Sequence, residues 1–137
     1  MNIYRIISEA LVLDPISIEL DSPADESIID KIMRASKMSI LQGFVLLDID
    51  GYRVAAEVDT TSIERAKPEH QAIRIARFER KDMRSGGSRA YRFDLDLFYN
   101  RSTHRFELYR YASKTKVSPA EWQNIIRQHQ NADKYRA

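Results

Sequence analysis

The 137-residue chain is 43% hydrophobic and 31% charged, the size and composition of one globular domain, which excludes wholesale disorder. It contains no cysteine, so disulfides, thiol nucleophiles and cysteine-based zinc or iron–sulfur centres are excluded together. The net charge of +2 hides a division: residues 1–64 carry 5 Lys/Arg against 12 Asp/Glu (net −7), and residues 65–137 carry 17 against 8 (net +9).

Such asymmetry points to an electrostatic partner. The competing explanation is that the two halves fold against each other and their charges intermix. Apolar runs such as Phe44 to Leu47 are far too short to cross a bilayer, and the first residues lack the basic-then-apolar build of a secretory signal. The expectation is a cytoplasmic protein with no membrane partner.

In chain order, Ile3, Ile6, Ile7, Ala10 and Leu11 fall at helical spacing, although the residue types also suit a strand, and both readings stay open. Asp14-Pro15 ends this element. Ile16, Ile18 and Leu20 alternate with Ser17 and Glu19, which predicts a short strand buried on one face. Ser22-Pro23-Ala24-Asp25 offers an N-cap, a first-turn proline and an acid, so a helix is expected to start there. Its apolar stripe is Ile28, Ile29, Ile32, Met33, Ser36, Ile40 and Leu41, with Gly43 as terminator. Asp50-Gly51 between Phe44–Ile49 and Tyr52–Val58 predicts a tight hairpin whose first arm, nearly all apolar, is central. Residues 60–71 read as a loop with a helical turn.

The basic half reads as a three-stranded meander: about 72–80, then 90–99 after the flexible Arg84–Arg89 loop, then 104–111. A second capping signal, Ser118-Pro119-Ala120-Glu121, opens a final helix with Trp122, Ile125, Ile126 and His129 facing inward. Trp122 on that stripe is core, and residues 131–137 form a frayed tail. The expected fold is a single α+β domain over residues 1–137. Its sheet has five or six antiparallel strands, with helices packed on one face.

Side chains on a strand alternate between faces. By that rule the outward face of the meander collects Arg74, Arg80, Arg92 and Arg105 with Phe78, Phe98, Tyr109 and Tyr111. Arg84 and Arg89 lie in a loop able to close over it. Arginines neutralise phosphates while flat rings stack on exposed bases, which is the chemistry of single-stranded DNA or RNA binding. The leading expectation is a non-enzymatic binding protein with nucleic acid, or an acidic protein surface, as partner and with no cofactor. An alternative is an inhibitor, immunity or adaptor protein acting by charge complementarity, its acidic half mimicking nucleic acid; self-association between opposite halves belongs with it. A further alternative is a metal-dependent nuclease using Asp94, Asp96 and Glu107. The three histidines, His70, His104 and His129, lack ligand spacing, and no nucleophile elbow, phosphate loop or dinucleotide fingerprint occurs.

Overall fold

The computed structural model describes residues 14–78 and 94–134. The open helix-or-strand reading of residues 3–13 therefore lies outside the described residues, as do Arg80, Arg84, Arg89 and Arg92. The elements in chain order are β1 (Ile16–Ile18), α1 (Ser27–Met38), β2 (Phe44–Ile49), β3 (Tyr52–Val58), α2 (Thr60–Glu64), β4 (Ala72–Phe78), β5 (Leu95–Asn100), β6 (Arg105–Arg110), β7 (Lys116–Val117) and α3 (Pro119–Lys134).

Among the described residues these strands form one small α+β domain with a seven-stranded sheet in sequential order, β1 to β7, which corrects the expected five or six. Nor is the sheet wholly antiparallel. β1 runs parallel to β2 with Ile16 opposite Leu47, whereas every other neighbouring pair is antiparallel. Parallel neighbours need a crossover, and α1, lying between β1 and β2 in sequence, supplies it. The added strand, β7, has two residues and pairs Val117 with Leu108. It is too short to leave a periodic signal.

The sheet curls into a half-barrel. The segment after β1 reaches across to β6, where Leu20 bridges Phe106 and Pro23 bridges Arg105. The Asp21 N–H donates to the Phe106 carbonyl (3.1 Å) and the Ala24 N–H to that of His104 (2.8 Å). This explains why α1 begins later than its capping residues suggest. Ser22-Pro23 is drawn into the bridge to β6, and the helix starts only at Ser27, with the Asp25 carboxylate accepting from the Ser27 N–H (2.8 Å). The helix ends at Met38, so Ile40 does not extend its buried stripe: Met38 and Ile40 are 84% and 81% exposed. Gly43, at φ +92°, sends its N–H back to the Ser36 carbonyl (3.0 Å).

The Asp50-Gly51 turn forms as expected. Both residues have positive φ (49° and 90°), as the two-residue turn between twisted strands requires, and Ile49 pairs with Tyr52. Ser118 caps α3 by accepting the Glu121 N–H (3.1 Å). From that helix the fully buried Trp122 donates its Nε1–H to the Ile49 carbonyl (2.9 Å) and meets Tyr52 and Phe78 edge-on. Ile126 and His129 are buried beside it. The core thus lies between the helices, which contribute Ile32, and the inward residues of the sheet, among them Leu47, Ile75, Leu97, Phe106 and Leu108. Among the described residues no helix is long and apolar enough to cross a membrane.

Candidate functional site

The outer side of β4, β5 and β6 is organised by an irregularity in β4. Arg74 pairs with Phe98, but the next partners are Ala76 and Leu97, so Ile75 is an extra residue in the ladder. A bulge inverts the alternation beyond it. Ile73, Ile75, Ala76 and Phe78 are all buried, and the outward side chains are Arg74 and Arg77. Strict alternation placed Phe78 outward; it is instead 1% exposed and packs on Trp122 with ring centroids 6.0 Å apart. The bulge is the reason for that correction.

Arg77 stands opposite Asp96 in the ladder and holds its carboxylate with two hydrogen bonds, from Nε (2.8 Å) and Nη2 (3.1 Å). Asp96 is 4% exposed, and the fork supplies the paired donors that a buried carboxylate needs. The same guanidinium lies 4.6 Å from the centre of the Tyr111 ring, a cation–π contact. Arg74 approaches Asp96 from the other side at 4.0 Å and is bound through Nε to Asp59.

One step along the sheet, Phe98 and Tyr109 meet edge-on at 5.4 Å. The Tyr109 hydroxyl donates to Glu107 (3.3 Å); burial first, and then that carboxylate, hold its pKa above the ordinary value. Glu107 also accepts from Asn100 (3.3 Å) and pairs with Lys116 (3.1 Å). Lys116 in turn reaches Asp21 (3.0 Å). That hydrogen bond, more than the one to Glu107, lifts the ammonium pKa above its usual value.

Apart from Asp59, Asp21 and Lys116, these residues line a concavity of about 470 Å³. Its walls carry four cations (Arg74, Arg77, Arg110, Lys114), two acids (Asp96, Glu107) and three rings (Phe98, Tyr109, Tyr111). Of the residues expected on this face, Arg74, Phe98, Tyr109 and Tyr111 are brought together here. Arg105 is exposed at the far end of β6, where its Nη1 donates to the Asp21 carbonyl (3.1 Å), and does not line the concavity. Arg80, Arg84, Arg89 and Arg92 fall outside the described residues. Sequence reasoning missed Arg77, Arg110 and Lys114. Arg77 was hidden by the bulge, and the two others lie where β6 runs into its following turn.

Two further concavities lie on the surface, and the first of them shares residues with this one. The first, also about 470 Å³, lies between α2 and the edge of β4 and shares Arg74 and Phe98 with it; Thr61, Ser62, Arg65 and His70 complete its polar lining. The second, about 520 Å³, is acidic, with Glu19, Asp25, Asp48 and Asp50 in its wall. Burial pushes the Asp50 carboxyl above its ordinary pKa, against the Leu20 N–H that donates to it (3.0 Å).

The charge-divided halves do fold against each other in part, since Glu26–Arg101, Asp59–Arg74 and Asp21–Lys116 join acidic-half residues to basic-half ones. Among the described residues no three His, Cys, Asp or Glu side chains are grouped to hold a metal ion. The acids of the nuclease alternative are not among any such group. Asp96 is clamped by Arg77 and Glu107 by Lys116, while Asp94 sits before β5 at φ 47°. No protein-family model, curated protein or solved structure matches this chain.

Proposed function

We propose that this chain is a non-enzymatic binding domain whose outer sheet face takes a segment of single-stranded nucleic acid. The observation that supports the reading is the lining of the central concavity. Cations exceed acids by two there, and three aromatic rings stand among them. Guanidinium and ammonium groups neutralise phosphates, and exposed bases find ring faces and edges to pack against. Asp96 and Glu107 are not bare carboxylates facing the ligand: Arg77 clamps the first, and Lys116, which it shares with Asp21, pairs with the second.

The test is fluorescence anisotropy of labelled single-stranded DNA and RNA pools, titrated with the full chain at two salt concentrations. With Arg77 spent on Asp96, three cations remain for phosphate contacts, so the log–log salt slope for a single strand should reach about −2, and affinity should fall roughly 10- to 20-fold over a fourfold rise in salt. Flat anisotropy at low salt ends the reading.

A second reading, a protein-binding role through charge complementarity, is favoured by the acidic concavity around Asp48 and Asp50 and by the exposed Met38 and Ile40. It predicts no salt-sensitive affinity for nucleic acid, and a stable stoichiometric complex with a basic protein that is lost in Asp48→Lys.

A further inference from the structure

We infer that the cleft between α2 and Phe98 is a phosphate subsite, which anchors one nucleotide whose base lies across Phe98 in the central concavity. This deepens the nucleic-acid reading and rests on it for the identity of the ligand. Three observations carry it.

No carboxylate lines the cleft, whereas Arg65, Arg74 and His70 all do. That sets it apart from the central concavity, whose cations alternate with acids. The donors are also presented in usable form. His70 accepts the Lys67 N–H on Nδ1 (3.1 Å), so in the neutral ring the proton sits on Nε2, the atom left to donate to an anion. Arg101 fixes this turn by donating from Nη1 to the carbonyls of Lys67 (2.7 Å) and His70 (3.3 Å). Arg74 spends Nε on Asp59, and its Nη1 stands 4.0 Å from Asp96, beyond hydrogen-bond distance, so its Nη protons remain for a ligand. Ser62 gives its hydroxyl proton to Asp59 (2.8 Å), which leaves the Thr61 hydroxyl as the neutral donor.

The third observation is continuity. Arg74 and Phe98 belong to the walls of both spaces, so a phosphate held in the cleft puts its sugar and base at the Phe98 ring, next to Tyr109.

The test is an amide-resolved NMR titration of the full chain with thymidine 5′-monophosphate, thymidine and inorganic phosphate. The monophosphate is expected to bind at least tenfold more tightly than thymidine and to shift the amides of residues 61–65, 70–74 and 98. Arg65→Gln, at an exposed position, is expected to weaken it at least fivefold with an unchanged melting temperature. Equal affinity for nucleotide and nucleoside, shifts that avoid the cleft, or an Arg65→Gln protein that binds like the parent would each overturn the inference. Anisotropy with an oligonucleotide separates the two claims. If the oligonucleotide binds while the monophosphate leaves the cleft untouched, the subsite is lost and binding in the central concavity stands. If the monophosphate fills the cleft while no oligonucleotide binds, the subsite stands and single-strand binding in the central concavity is lost.

Discussion

Two phenylalanines on adjacent strands provide the sharpest test of how the faces are assigned. Phe78→Ala removes a ring that is 1% exposed and packed edge-on against Trp122. Emptying such a site costs about 3–5 kcal/mol, because the transfer free energy is lost and the surrounding core cannot fully collapse. Phe98→Ala removes a half-buried ring on the outer face, whose main ring contact is Tyr109. Its loss costs about 1 kcal/mol from partial burial and one aromatic pair. For a chain of this length about 1 kcal/mol corresponds to roughly 3–4 °C in Tm. The predicted drops are therefore about 10–20 °C for Phe78→Ala and about 3–4 °C for Phe98→Ala, read by circular dichroism melts and checked by urea titration. Equal losses, or a larger loss at Phe98, would mean that the bulge at Ile75 does not invert β4 and that the face assignment is wrong.

Other consequences are quickly checked. Tyr109→Ala should weaken single-strand binding by about 5- to 150-fold, the range for losing one stacked base, while Tm moves by only a few degrees; anisotropy and a melt on the same sample decide it. Ser118→Ala removes the acceptor for the Glu121 N–H and should cost about 1 kcal/mol in a urea titration, with little change if Ser118 is not the cap of α3. Asp59 carries a pH signature. Burial raises its pKa, but the Ser62 N–H and hydroxyl and the Arg74 guanidinium outweigh burial and leave it below the ordinary value. A carboxyl depressed in the folded state contributes stability that is complete above its unfolded pKa of about 3.9 and is lost as pH falls towards the folded value. Asp59→Asn should therefore flatten the acid limb of stability below about pH 4, and an unchanged limb in urea titrations across that range would contradict the assignment.

What could be read from the sequence, and what could not, follows from the range of each interaction. The Asp50-Gly51 hairpin and the Ser118 cap are decided within four residues, and both form where their residues predict. The same local grammar at Ser22-Pro23 misleads, because backbone groups around Pro23 are taken by β6, more than eighty positions away. Alternation in β5 and β6 holds, so Asp96, Phe98, Glu107 and Tyr109 share a face as their spacing implies. In β4 a single bulged residue exchanges Phe78 for Arg77 on the outer face, and nothing in the run Ile73 to Phe78 announces it. Strand β7 escapes because two residues carry no period, and although alternation marks β1 as a strand, its parallel pairing with β2 is set by where α1 crosses. Charge division along the chain was legible, but its partial cancellation by Asp59–Arg74, Asp21–Lys116 and Glu26–Arg101 depends on contacts made only in the folded state.

If the outer face of β4 to β6 holds the ligand, photocrosslinking will locate it residue by residue. A single-stranded oligonucleotide carrying 4-thiouridine or 4-thiothymidine is bound to the full chain, irradiated, and the adducts are mapped by mass spectrometry. Adducts are expected to concentrate at Phe98, Tyr109 and Tyr111 and to be competed away by unlabelled single strand. Adducts spread over the helices, or confined to the acidic concavity around Asp48 and Asp50, would contradict that placement.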